Sequence, residues 1–114
     1  MGYLKNFSGQ TLLKIDGDNI KEFSGVIKYK INGNNVSDFY GRILFKLDTD
    51  SVSDFYGRKL LNVTSYQIKD FYGRVLATYD TNYIKDFSGR ILYKLDGFFS
   101  KRELMALFAI LFGV

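Results

Sequence analysis

The stretch VSDFYGRILFKLDTDSVSDFYGRKL, residues 36–60, states one phrase twice. Val36, Asp38, Phe39, Tyr40, Gly41 and Arg42 return sixteen positions later as Val52, Asp54, Phe55, Tyr56, Gly57 and Arg58. Outward from there, Phe recurs at 7, 23, 39, 55, 71 and 87, and Gly at 9, 25, 41, 57, 73 and 89, without insertion or deletion. A branched apolar residue stands three places before each Phe, as Leu4, Ile20, Val36, Val52, Ile68 and Ile84. The residue just before it is Asn6, Glu22, Asp38, Asp54, Asp70 or Asp86. Six units therefore run from Leu4 to Phe99, and such self-similarity marks a repeat architecture.

Each unit carries two punctuation marks. Asp-Phe-Tyr-Gly has the residues of a type I turn: the carboxylate accepts backbone N–H groups and Gly takes the positive φ that follows. The second mark is a polar group such as DGDN (16–19), NGNN (32–35), DTDS (48–51) or DTNY (80–83). Between the marks lies a short β-branched and aromatic run, for example Ile43-Leu44-Phe45-Lys46-Leu47. The reading is strand, turn, strand, turn. Alternation puts Ile43, Phe45 and Leu47 on one face and Arg42, Leu44, Lys46 and Asp48 on the other. Val36 and Phe39 are assigned to packing, and Asp38 and Gly41 to the turn.

The expected fold class is all-β. In a β-solenoid each unit is one coil and equivalent residues stack about 4.8 Å apart. In the alternative, an antiparallel meander of six β-hairpins, they sit roughly 9.6 Å apart. The unbroken ladders of Phe, Ile and Gly favour the solenoid, although a close ladder of Asp carries a repulsive cost. Leu12, Leu44, Leu60, Leu76 and Leu92 form a stripe on the otherwise polar face, interrupted by Lys28. A terminal segment, a loop or another subunit should cover it.

The repeat domain spans 1–99, and residues 100–114 differ in character. Ser100 and Glu103 form a capping-box pattern, Leu104 to Phe112 are good helix formers, and Gly113 suits a C′ position. This predicts a helix of about three turns, apolar on every side. It would act as a cap or as an oligomer contact, and its apolar run is too short to span a bilayer.

Composition excludes much chemistry. The chain of 114 residues has no Cys and no His, which removes disulfides, the usual general base and the common transition-metal ligands. Catalysis needs one asymmetric site, whereas six near-identical units supply equivalent ones. A calcium site on Asp38, Asp54, Asp70 and Asp86 is disfavoured because each unit offers one turn Asp. The formal charge of +4 is spread in mixed sign, so a nucleic-acid tract is not expected. Asn6-Phe-Ser and Asn62-Val-Thr match the glycosylation pattern by chance. The first ten residues show no signal peptide, which gives a cytoplasmic location by default.

What remains is surface. Tyr40, Tyr56 and Tyr72 beside Arg42, Arg58 and Arg74, with Arg90 in line, make an aromatic–basic column able to stack sugars or the bases of a single strand. The plainer reading has each Tyr packing over the Gly of its own turn and each Arg pairing with the adjacent Asp. Leu44, Leu60, Leu76 and Leu92, with Leu104, Leu107, Phe108 and Leu111 of the tail, are the candidate oligomer contact.

The unit IKDFSGRILYKLDG (84–97) resembles the short repeats of bacterial proteins built on an I-x-D/N-x-x-G-x-x-I-G-x-I theme. Those proteins often end in a short, aromatic-rich apolar tail, as LMALFAILFGV does here, and the resemblance covers nearly the whole chain. The chain departs from that theme in placing Leu where a second Gly is frequent. No biochemical function is assigned to that family. The core DFYGRIL is also similar to the YD-x-x-G-R-L repeats of large bacterial toxin shells, a likeness read as shared turn chemistry. The functional expectation is a non-enzymatic scaffold that self-assembles into a homo-oligomer or filament, without metal or cofactor. The alternative is a polysaccharide- or anionic-surface-binding module using the Tyr/Arg column. Neither nucleic acid nor membrane is an expected partner.

Overall fold

The computed structural model describes residues 1–113. Twelve strands follow one another: β1 (Gly2–Asn6), β2 (Thr11–Asp16), β3 (Asn19–Glu22), β4 (Ile27–Asn32), β5 (Asn35–Asp38), β6 (Ile43–Leu47), β7 (Ser51–Asp54), β8 (Lys59–Val63), β9 (Gln67–Asp70), β10 (Val75–Tyr79), β11 (Tyr83–Asp86) and β12 (Ile91–Gly97). One helix among the described residues, α1 (Lys101–Phe112), follows them.

The two punctuation marks make two kinds of reversal. In the first, Gly41 N–H donates to the Asp38 carbonyl at 3.1 Å and Asp38 N–H to the Arg42 carbonyl at 2.9 Å. Gly41 sits at φ 88°, the left-handed residue that closes a three-residue hairpin loop. In the second, Gly17 and Gly33 take φ 61° while no non-glycine residue among those described has positive φ. That combination is the type II′ hairpin, whose backbone twist matches the flanking strands. Where Gly is missing, a side-chain oxygen at the first turn position braces the loop: Asp80 Oδ1 accepts the N–H groups of Asn82 and Tyr83, each at 2.8 Å, and Thr64 Oγ1 accepts that of Gln67 at 3.0 Å.

Because both marks reverse the chain, every strand pairs antiparallel with its predecessor, and the meander closes when β1 pairs with β12. The solenoid expectation gives way here to the hairpin alternative. Equivalent turn Asp residues then lie two strands apart, which relieves the repulsion that a stacked ladder would have carried. Closure into a barrel was not foreseen from the sequence.

Closure keeps the register of the repeat. Ile20 faces Ile15, Val36 faces Ile31, Val52 faces Leu47, Ile68 faces Val63 and Ile84 faces Tyr79. Leu4 faces Leu95 in the same way, so the last unit treats the first as its successor. The barrel has pseudo-sixfold symmetry, and equivalent side chains form rings. Leu4, Ile20, Val36, Val52, Ile68 and Ile84 form a central ring in which every member is 0% exposed. Each such burial contributes about 1.5–3 kcal/mol. A second inner ring holds Ile15, Ile31, Leu47, Val63 and Leu95, with Tyr79 as its half-buried sixth member.

Helix α1 fills the lumen. Met105, Ala106, Leu107, Phe108 and Ala109 are consecutive and all 0–1% exposed. Five consecutive residues cover every side of a helix, so burial of all five requires walls all round. Its N-terminus lies at the loop end, where Arg102 donates to the Gly33 carbonyl and to Asp18 Oδ1, each at 3.2 Å. The Phe108 ring meets Tyr79 of β10 at 4.8 Å between centroids. Twelve helical residues span about 18 Å, close to the 20 Å short dimension of the molecule. Ser100 and Glu103 form the capping box anticipated for this helix. Gly113, expected at C′, is instead the C-cap of α1, at φ −81° and donating its N–H to the Ala109 carbonyl.

Candidate functional site

The Asp-Phe-Tyr-Gly turns gather at one rim of the barrel, opposite the end where α1 begins. Asp38 organises its turn from below. Its Oδ1 accepts the N–H groups of Tyr40 at 2.9 Å and Arg42 at 3.0 Å, and its Oδ2 accepts Arg42 Nε at 2.8 Å. Asp54 and Asp70 repeat this geometry on Arg58 and Arg74. Asp86 adds the Ser88 hydroxyl at 2.7 Å and holds Arg90 Nε at 3.2 Å. Asn6 performs the same service for Ser8 and Gln10. Glu22, one carbon longer, reaches only the Ser24 hydroxyl at 3.4 Å and Lys28 at 3.8 Å.

These contacts set the acidity of the carboxyls. Partial desolvation in the turn pushes Asp38, Asp54 and Asp70 up, but the following arginine's N–H and guanidinium and the Tyr N–H together outweigh it. All three titrate below the ordinary 3.8. Asp86 falls to about 2, first through the Ser88 hydroxyl and then through Arg90 N–H, against the opposing effect of desolvation. A carboxylate so committed is a poor general base and a poor metal ligand. Among the described residues, no group of three Asp or Glu side chains is arranged to hold a metal ion.

The arginines match the plainer reading of the column. Arg42, Arg58, Arg74 and Arg90 are each ion-paired through Nε, yet their side chains stay 78–84% exposed. Tyr40, Tyr56 and Tyr72 are 80–83% exposed; each stands edge-to-face with the preceding Phe at 5.3–5.5 Å between centroids, and the Arg74 guanidinium lies 5.8 Å from the Tyr72 centroid.

The Phe residues overturn an expectation. Contrary to the packing role expected of Phe39, all six Phe of this series are 51–79% exposed. The reason is local: Phe occupies the first tip position of the turn, where the side chain projects beyond the strands and cannot reach the lumen. Instead the rings of Phe23, Phe39 and Phe55 lie outside against the preceding unit. Phe55 and Tyr56 line a shallow groove with Gly41, Arg42, Ile43 and Leu44, and Lys46 Nζ stands 5.8 Å from the Phe55 centroid. Phe39 lines a similar groove with Ile27, Lys28 and Tyr29, and Phe23 one with Leu12.

The leucine stripe also finds its explanation. In every hairpin closed by the aromatic turn the register slips by one, because the even-numbered strand carries an extra residue. The residue passed over is Leu12, Lys28, Leu44, Leu60, Leu76 or Leu92, so the stripe is a ring of β-bulges. Leu44, Leu60 and Leu76 pack partly against the core, whereas Leu12 is 39% exposed. Of the tail residues named with that stripe, Leu107 and Phe108 are buried inside the lumen, and Leu104 and Leu111 are half-buried against it.

The aromatic rim is thus the surface that sequence reasoning missed. The signal for it was the position of Phe inside the turn signature, which outweighs its hydrophobicity. Comparison with protein-family models, with curated proteins and with solved structures found no match to the chain.

Proposed function

We propose that the chain is a non-catalytic scaffold that self-associates, and that the contact is the aromatic rim. The observation that carries this reading is the ring of six exposed Phe side chains, flanked by three exposed Tyr. Exposed apolar area on this scale marks an interaction surface. Its electrostatics suit a second copy: Glu22, Asp38, Asp54, Asp70 and Asp86 are set against Arg42, Arg58, Arg74 and Arg90, so the rim is near neutrality. The end of the barrel also has the right size. Its extents of 36 × 33 Å enclose about 900 Å², comparable with the ~800 Å² that each partner buries in a standard interface. Strand addition is not the route, because closure leaves no free sheet edge among the described residues.

Light scattering on the full chain tests this, alongside a triple variant Phe39→Ser, Phe55→Ser, Phe71→Ser. The native chain should run as a dimer or larger species, and the variant as a monomer with an unchanged melting temperature. A native chain that stays monomeric at high concentration overturns the reading.

A second reading, binding of polysaccharide or an anionic surface by the Tyr/Arg column, draws on one feature. Each guanidinium is held at Nε, so its outer nitrogens face solvent beside an exposed Tyr ring. Tyr40→Ala, Tyr56→Ala and Tyr72→Ala together should abolish such binding and leave association through Phe in place.

A further inference from the structure

The outer wall breaks the sixfold symmetry in charge. One cross-strand pair recurs in every unit, joining an even-numbered strand to the next odd-numbered one. It is Lys30 with Ser37, Lys46 with Ser53, Asn62 with Lys69 and Thr78 with Lys85 in four of the units. Each of those places one lysine opposite a hydroxyl or an amide. In the two units that meet at the closure, the pair is Lys94 with Lys5 and Lys14 with Lys21. Like charges directly opposite on antiparallel strands are destabilising, and the other four units show that the fold does not need them.

The doubled pairs join their neighbours into a strip. Lys85, Lys94, Lys5, Lys14, Lys21 and Lys30 lie on six consecutive strands, β11, β12, β1, β2, β3 and β4. At the strand spacing the strip is about 24 Å long. Lys5 and Lys21 are partly compensated by Asp96 at 3.0 Å and Asp16 at 3.5 Å. Lys14, Lys30 and Lys94 have no carboxylate within ion-pair distance among the described residues.

We infer that this strip is a binding site for a flexible acidic polysaccharide, bearing carboxylate or sulfate groups, that wraps across the closing strands. The strip covers half of a convex wall, so a flat bilayer could touch only a short arc of it at once. Single-stranded nucleic acid relies on bases stacking on exposed rings. Here the flanking Tyr3 and Tyr83 are half-buried, and Lys85 Nζ already stands 5.7 Å from the Tyr83 ring centroid. The strip also has no arginine fork for base edges. Lysine ammonium groups, as hydrated point charges without a fixed fork, suit anionic groups spaced along a mobile chain.

The test measures binding of a labelled heparin oligosaccharide to the full chain at about 0.15 M salt. Two variants remove the same charge: Lys14→Ser, Lys30→Ser, Lys94→Ser on the strip, and Lys46→Ser, Lys59→Ser, Lys69→Ser on the far wall. The strip variant should bind roughly tenfold or more weakly and the far-wall variant less than roughly threefold, since polyanion affinity follows the lysines in contact. Equal weakening by both would reduce the effect to net charge and overturn the site. Tighter binding to an oligothymidylate or to phosphatidylserine vesicles than to heparin would overturn the polysaccharide assignment. The melting temperature gives an independent readout. Lys14→Ser with Lys94→Ser removes two like-charge pairs and should leave it unchanged or raise it, whereas a fall would show the lysines to be structural and sink the inference.

Discussion

Leu4 faces Leu95 across ninety-one residues of chain in the register in which Ile20 faces Ile15 across five. The longest-range strand pairing in the molecule is therefore geometrically the same as a local one. A ring built this way is closed by the side chains that build each hairpin, so damage at one point of the ring should be felt by the whole.

Substitution in the central ring should show this. Leu4→Ala and Ile68→Ala each open a cavity among fully buried neighbours and should cost about 2–5 kcal/mol. Urea unfolding followed by circular dichroism should give one cooperative transition for both variants. Two separated transitions would mean that the units act independently.

The helix should behave as part of the same core. Phe108→Ala removes the ring packed on Tyr79 and should destabilise by about 3–5 kcal/mol. Truncation before Ser100 exposes the inner rings and should produce a chain that binds a hydrophobic dye and loses its near-ultraviolet dichroism. A truncated chain that melts like the native one would contradict the lumenal role of α1.

The turn glycines separate backbone from packing. A Cβ added at Gly41 or Gly57 meets nothing within 4 Å, yet both sit at φ 88°. Alanine there should cost about 1–2 kcal/mol, all of it backbone strain. A Cβ at Gly2 would instead lie 2.6 Å from the Phe99 ring, so Gly2→Ala should disturb the closing strand by steric contact. Unfolding free energies with amide exchange on β1 distinguish the two cases.

Acid should loosen the aromatic turns over a defined range. The folded carboxyls of Asp38, Asp54 and Asp70 lie below the ordinary 3.8, and that of Asp86 lies at about 2. Since the unfolded chain binds these protons more readily, stability is fully present above about pH 4 and is lost as pH falls toward 2. Asp86→Asn should flatten its share of that slope in melting experiments between these limits. Glu22→Asp works in the other direction: the shorter carboxylate can accept from the N–H groups of residues 24 and 26, and the melting temperature should rise.

Much of the architecture could be read from the residues. The sixteen-residue period, both turn positions, the inward-facing Phe45 and Leu47, and the helix cap at Ser100 each follow from local rules, and the structure agrees with them; Ile43, expected on the same face, instead lines the outer groove with Phe55 and Tyr56. Closure was hidden because it depends on the number of units and on pairing Leu4 with Leu95, and no local signal encodes either. The bulges were hidden for a related reason. Strict alternation assigns Leu44 to the polar face, while the slipped register is visible only once β5 and β6 are paired. The rim was misjudged because Phe39 was read by its hydrophobicity and not by its place at a turn tip. The lysine strip required closure to be known first, since Lys5 and Lys94 come together only there.

An open row of repeats can gain or lose a member at either end with little consequence. In this ring the lumen must match the girth of α1, whose five consecutive buried residues touch wall on all sides. Duplicating a sixteen-residue unit would add two strands to the circumference and leave the helix loose, and deleting one would leave no room for it. The copy number is thus gauged by the final segment of the chain, which turns a sequence prone to slippage into a molecule of fixed size.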